Sequence, residues 1–172
     1  MPNWCSNSLV VTGPENVLKN FIAKGESEEG QSFSMNPFVP MPVGIESGWY
    51  DWACENWGTK WDINEARVAA NYKDGEVEID FDTAWGPPLK FVEKASGLFP
   101  ELIFRLMYAE PGMCFGGTHL FEAGERVFAV ETQSNQSTAL LSRWHASQMG
   151  EDIEAEEEQD IEDENDSDEG GE

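Results

Sequence analysis

Two copies of a strand, Gly-Pro, helix, Gly unit, an apolar strand after the second copy, and a carboxylate-rich C-terminus predict the fold class. It is an α+β chain: a ferredoxin-like βαββαβ sandwich with extra strands, a Trp-rich helical insert and a disordered acidic tail. In the first unit, Asn7-Ser8-Leu9-Val10-Val11-Thr12 reads as a strand that Gly13-Pro14 stops. Pro14 suits the first turn of the following helix, where its missing N–H is no loss. Val17, Leu18, Phe21 and Ile22 mark one helical face, and Gly25 stands where a left-handed cap is expected. In the second unit Val77, Ile79, Phe81, Thr83 and Trp85 alternate as a strand, Gly86-Pro87 opens a helix with Leu89, Val92 and Ala95 inward, and Gly97 closes it. Leu102 to Ala109 reads as a buried strand, Pro111-Gly112 as a turn, and Met113–Phe121 and Arg126–Glu131 as further strands.

The 172 residues fit one domain, and their charge of −24 is unevenly spread. Residues 151–172 hold 14 carboxylates and no Lys or Arg, leaving 20 acidic and 10 basic groups in residues 1–150. Ile153 and Ile161 are the only aliphatic side chains larger than alanine in that run, too few to offset the entropy of ordering it. The expected organisation is a ferredoxin-like domain over 1–131 with an insert at 26–64, a linker with a short helix over 132–150, and the tail. Fully extended, the tail carries one charge per roughly 5 Å against about 1.7 Å for duplex DNA; as a helix the spacing falls to roughly 2.4 Å. No apolar run reaches the roughly 20 residues of a membrane span, and the first residues lack the pattern of a signal peptide. Host-cell cytoplasm is the expected location, with no membrane partner. Three distant cysteines fit reduced thiols.

The insert supplies the densest unusual feature. Its prolines, Pro37, Pro40 and Pro42, exclude a helix there, whereas Trp49, Ala53 and Trp57 recur on one helical face with Trp52 beside them and Gly58 as the cap. Thr59 to Ile63 alternates with period two, which places Trp61 and Ile63 inward and Lys60 and Asp62 outward. Trp49, Trp52, Trp57 and Trp61 read either as a small core over one end of the sheet or as a binding surface. Glu55, Lys60 and Asp62 among them read as caps and ion pairs, or as a recognition site. A general-acid role for Glu55 or Asp62 requires a desolvated carboxylate.

Glu76, Glu78, Asp80 and Asp82 occupy alternate strand positions and so form an acidic ladder on one face. It is a solvated outer face, a docking row for basic groups or a weak cation site. A linear ladder does not converge as a calcium or magnesium cage does. Cys114 and His119 are too few for a structural zinc site, and Gly116-Gly117 lacks the Lys of a phosphate loop. Pro2, freed by removal of Met1, offers a secondary amine that acts as a base or nucleophile if buried at a strand start. The reading contains no cofactor, no metal and no catalytic residue.

Four stretches carry a resemblance: Met1-Pro2-Asn3-Trp4-Cys5-Ser6-Asn7; Trp49-Tyr50-Asp51-Trp52 continuing to Glu55-Asn56-Trp57-Gly58-Thr59-Lys60-Trp61-Asp62; Phe81-Asp82-Thr83-Ala84-Trp85 with Pro87-Pro88; and Glu110-Pro111-Gly112-Met113. Over roughly residues 1–125 the chain resembles the YubB-like, Api-like family of bacteriophage and plasmid proteins. The resemblance implies a ferredoxin-like domain and a mobile-element setting but no activity. Cys114 stands where the family pattern has Gly, a poor position for family chemistry.

These observations lead to an expectation of a non-enzymatic accessory protein. It binds a basic host or defence protein through its acidic surface and tail, as a nucleic-acid mimic in one version. Direct nucleic-acid binding is not expected at this charge. The alternative is a small enzyme or ligand-binding protein with a Trp-lined pocket between helix and sheet.

Overall fold

The computed structural model describes residues 3–26 and 31–133. In chain order these form β1 (Trp4–Thr12), α1 (Glu15–Gly25), α2 (Trp49–Asn56), β2 (Ala66–Asn71), a short 3-10 turn (Tyr72–Asp74), β3 (Glu76–Ala84), α3 (Leu89–Leu98), β4 (Ile103–Glu110), β5 (Phe115–Glu122) and β6 (Glu125–Thr132). All paired strands are antiparallel, in the order β2-β3-β1-β4-β5-β6. The first four in that order, with α1 and α3, are the βαββαβ sandwich; β5 and β6 extend it as a meander. The expected linker helix around 137–149 and the tail at 151–172 lie outside the described residues.

Strand alternation sorts the side chains into two faces. Leu9 and Val11 of β1 stand beside Val77 and Ile79 of β3 and Phe104 and Leu106 of β4, and all six are buried beneath the helices. The helices bring Val17, Leu18, Phe21 and Ile22 from α1 and Phe91, Val92 and Ala95 from α3. Between them the insert contributes Phe33, Met35 and Phe38, all buried. Phe21 meets Phe33, Phe38, Phe99 and Phe104 at ring separations of 5.2–5.5 Å, so residues from four parts of the chain share one aromatic contact set.

Three local expectations change. Gly25 ends α1 without a left-handed φ; it is small because a Cβ there would lie 2.4 Å from the Phe33 ring. Gly97 lies within α3, with Gly124 of the β5–β6 turn close against it, so it does not close the helix. Thr59–Ile63 is not a strand: Thr59 is buried, Trp61 exposed and Asp62 bonded inward, and the edge strand forms later, at Ala66–Asn71.

Polar groups on the helix side tie strands together. The Asn7 amide nitrogen, fully buried, donates to the Cys5 carbonyl (2.8 Å), the Phe81 carbonyl (3.2 Å) and Thr83 Oγ1 (2.8 Å), and Thr83 in turn donates to the Gly86 carbonyl (2.8 Å). Burial pushes the Cys5 thiol far up, reinforced by Glu110 and Asp82, and so keeps it protonated. On β5, His119 is fully buried with Nε2 3.1 Å from Glu131 Oε1 and 3.3 Å from the Tyr108 hydroxyl, while Nδ1 has no partner. That geometry assigns the proton to Nε2, which donates to Glu131.

Desolvation holds the His119 imidazole below its ordinary pKa of 6.5; Glu131 opposes the shift and Arg126 adds to it. The unfolded chain therefore takes up a proton first as pH falls, and the native state loses stability from about pH 6.5 downward. Urea midpoints measured from about pH 7.5 to 5.5 should fall more steeply for the wild type than for His119→Gln, by at most about 1.4 kcal/mol per pH unit. Parallel declines would remove His119 from the account.

Candidate functional site

Among the described residues, the end of the sheet where β1 begins and β3 finishes carries a cluster of five exposed aromatic side chains. Trp4 opens β1, and its ring lies 6.3 Å from that of Trp61 in the insert. Trp85 follows β3 with φ 67°, a left-handed conformation rare for a bulky residue. Two bonds hold it there: the Trp85 N–H donates to the Asn3 carbonyl at 2.9 Å, and Thr83 fixes the next turn through Gly86. Tyr50 of α2 stands 6.2 Å from Trp85 and 6.1 Å from Trp49. At the centre, Lys60 Nζ lies 4.3 Å from the Trp61 ring centroid, 4.9 Å from that of Trp85 and 6.0 Å from that of Tyr50. Trp4, Trp49, Tyr50, Trp61 and Trp85 retain between 36% and 48% of their surface in contact with solvent. Three rings already receive the ammonium charge of Lys60, and a cation held over aromatic faces keeps them in a fixed arrangement.

The tryptophan cluster expected in the insert is thus divided. Trp57 is buried, donates its indole N–H to the Val39 carbonyl at 2.9 Å and packs edge-on against Trp52 at 5.2 Å. Both belong to the core or its margin. Trp49 and Trp61 belong to the surface, where they join Trp4, Tyr50 and Trp85. Gly58 does cap α2, at φ 89°.

Glu55 is exposed on α2, which gives it none of the desolvation that a general acid needs. Asp62, expected to face outward, instead collects inward bonds. Its Oδ1 accepts the N–H of Met35 (2.7 Å) and of Ile63 (2.7 Å); its Oδ2 accepts the Ser34 hydroxyl (2.6 Å) and the N–H of Asn36 (3.0 Å). The carboxylate is a clamp that fastens loop 34–36 to the segment leading out of α2. Thr59 completes the fastening by donating Oγ1–H to the Ala84 carbonyl at 3.0 Å, and the Phe91 N–H donates to the Trp57 carbonyl at 3.1 Å.

The acidic ladder lies on the face away from α1 and α3, but it is not uniform. Glu76 and Asp82 are exposed, Glu78 is half-buried and Asp80 is buried. Ser8 donates to Glu78 Oε1 and Ser6 to Asp82 Oδ1, both at 2.9 Å, and Arg67 Nε lies 4.0 Å from Asp80 Oδ2. Beside the ladder, a groove of about 480 Å³ is lined, among the described residues, by Trp4, Asn64, Glu65, Arg67, Asp80 and Asp82 together with Ala66 and Phe81. A second groove of about 330 Å³ shares Trp4, Asn64 and Asp82 and reaches Trp61. Among the described residues, no group of three or more His, Cys, Asp or Glu is placed to hold a metal ion. No described helix is long and apolar enough to cross a membrane.

Trp4, Tyr50, Trp85 and Arg67 are the surface residues that sequence reasoning missed. Trp4 carried one usable signal, since it shares the period of Ser6 and Ser8 and so must stand at the end of their face. The clamp makes a measurable prediction: Asp62→Ala should lower unfolding free energy by about 2–3 kcal/mol, because charged acceptors of backbone N–H groups are lost, while Glu55→Ala should change it by under about 0.5 kcal/mol. Chemical denaturation of both variants checks this, and equal effects would contradict it.

A family model described as "Ferredoxin-like domain in Api92-like protein" matches residues 56–169, starting at the last residue of α2 and extending beyond residue 125, where the resemblance was expected to end. No curated protein matches the chain. The crystal structure of protein api92 from Yersinia pseudotuberculosis is similar with a TM-score of 0.61 and 11% identity, over 77% of this chain and 98% of that one. At that identity the likeness concerns the fold. The family model covers about two thirds of the sequence, and the chain belongs to the family of Api92-like proteins with a ferredoxin-like domain.

Proposed function

We propose that this chain is a non-enzymatic accessory protein of the YubB-like kind, carried by a phage or plasmid, that binds a basic host or defence protein. The observation that carries the reading is the connected patch of Trp4, Trp49, Tyr50, Trp61 and Trp85 around Lys60, half-exposed at one end of the sheet. Trp and Tyr dominate the energetic centres of protein interfaces, because a rigid ring buries a large area while losing little conformational freedom. Carboxylates surround this patch: Asp51 on α2, Asp82 on β3 and Glu65 before β2. With a formal charge of −24 behind them, they would speed encounter with a basic surface and repel nucleic acid. Mimicry of a nucleic acid follows from the same charge if the partner's basic face is one that normally meets phosphates.

The test is affinity capture from host lysate on three full-length baits: wild type, Trp61→Ala/Trp85→Ala and Glu55→Ala. The wild type and Glu55→Ala should retain the same basic protein at low salt and release it at high salt. The double variant should bind it at least about 30-fold more weakly, as expected when two rings that together contribute about 2 kcal/mol or more are removed. Equal capture by all three baits would overturn the reading, as would the absence of any basic protein.

A further inference from the structure

The open face of the sheet divides into two halves of different chemistry. On β3 it carries the carboxylate ladder, whereas on β4, β5 and β6 it carries large apolar side chains. The register sets Val130 opposite Thr118 and Thr118 opposite Met107, and it sets Phe128 opposite Leu120. Met107 in turn faces Ser8 and Ile103 faces Thr12, so this whole strip lies on the side of Ser8, away from α1 and α3. Phe128 keeps 52% of its surface exposed, Val130 55% and Ile103 42%, while Met107 and Leu120 are half-buried; Arg105 is the charged residue among them. A sheet with one face on a core normally turns a polar face to water, and a contiguous apolar patch there marks a contact.

The chain itself supplies a segment that fits. β6 ends at Thr132, paired with Gly116, at the aromatic end of the sheet. Residues 133–150 are then the longest run without Asp or Glu in a chain of charge −24, and they carry Arg143 and His145. In that run Leu140, Leu141, Trp144 and Gln148 recur at the spacing of one helical face, with Ser137 and Gly150 where a helix starts and stops. Charge selects this occupant over the others. The ladder beside the strip attracts Arg143 and repels both the tail at 151–172 and a second copy of the chain. Length permits it as well. Gln133 to Gln136 reach up to about 14 Å, enough to climb one layer of about 10 Å. Residues 137–149 as a helix measure about 20 Å, and the eight residues of β6 cover about 27 Å.

We infer that residues 137–149 fold back as a helix onto the apolar strip of β4, β5 and β6, with Leu140, Leu141 and Trp144 against Leu120, Phe128 and Val130. The sheet is then covered on part of its second face. The acidic tail leaves near the start of β6, at the end of the sheet opposite Trp4 and Trp85, so tail and aromatic patch address a partner from opposite ends. The intramolecular contact stands whether or not such a partner exists.

Isotope-edited NOE spectra of the full chain test this. The Trp144 ring should show contacts to the Phe128 ring and to the methyl groups of Val130 and Leu120. Leu140→Asp/Trp144→Asp, which alters no residue of the sheet, should abolish the contacts of residues 137–149 with the strip and shift the amides of 103–107, 118–120 and 128–130, while those of α1 and α3 stay. Phe128→Glu should move the amides of 140–148 to random-coil positions. Mixing labelled with unlabelled chain separates contacts within one chain from contacts between two. No contact from Trp144 to the strip, contacts between chains only, or strip amides unmoved in the double variant would overturn the inference. Strip signals that respond to protein concentration but not to the double variant would assign the face to a second copy and equally overturn it.

Discussion

One carboxylate governs how the long connection between α1 and β2 lies on the sandwich. Asp62 receives four bonds, three from residues 34–36 and one from its own successor Ile63, and so joins two distant parts of a segment that is largely without regular secondary structure. Backbone N–H groups left unpaired at such a place would be costly, and bonds to a charged acceptor are stronger than neutral ones. Because loop 34–36 adjoins buried Phe33 and Phe38, the clamp also registers the insert against the aromatic core between α1 and α3. The insert is part of the core as much as a surface addition.

From that constraint the surface follows. Trp61 and Lys60 immediately precede the clamp, and Thr59 anchors the same run to the end of β3. Trp85 is held from the other side by Asn3 and by the Asn7–Thr83–Gly86 chain of bonds. Two independently fixed segments thereby bring rings together across a lysine, in an arrangement that neither segment defines alone. The left-handed backbone at Trp85 is a conformation of roughly 1–3 kcal/mol strain that survives because both its neighbours are tied. Strain of that kind at an exposed indole fits a residue placed for contact.

The sequence was most legible where a period of two or of 3.6 coincided with burial. β1, β3, β4, α1 and α3 all show apolar residues on one face because each has one face on the core. β2 escaped notice because Ala66, Ala69 and Ala70 carry little strand preference and the strand lies at an edge. Thr59–Ile63 shows the reverse error: its alternation was real, but Asp62 found donors in residues 34–36 and turned the segment inward at a position that pattern alone marks as outward. The partition of the tryptophans was equally hidden, since the Val39 carbonyl that satisfies the buried Trp57 N–H comes from a loop 18 residues earlier. Asp80 looks on paper like its three ladder neighbours, and only the packing around it singles it out.

The most direct measurement on this account compares the indole NMR signals of the wild type and Asp62→Ala. If the clamp sets the surface, the signals of Trp4, Trp61 and Trp85 should shift or broaden together, although none of these residues bonds to Asp62, while the amides of β4 and β5 keep their positions. Indole signals that stay in place while the amides of residues 34–36 and 63 move would contradict the account, because the aromatic surface would then stand without the carboxylate that is said to hold it.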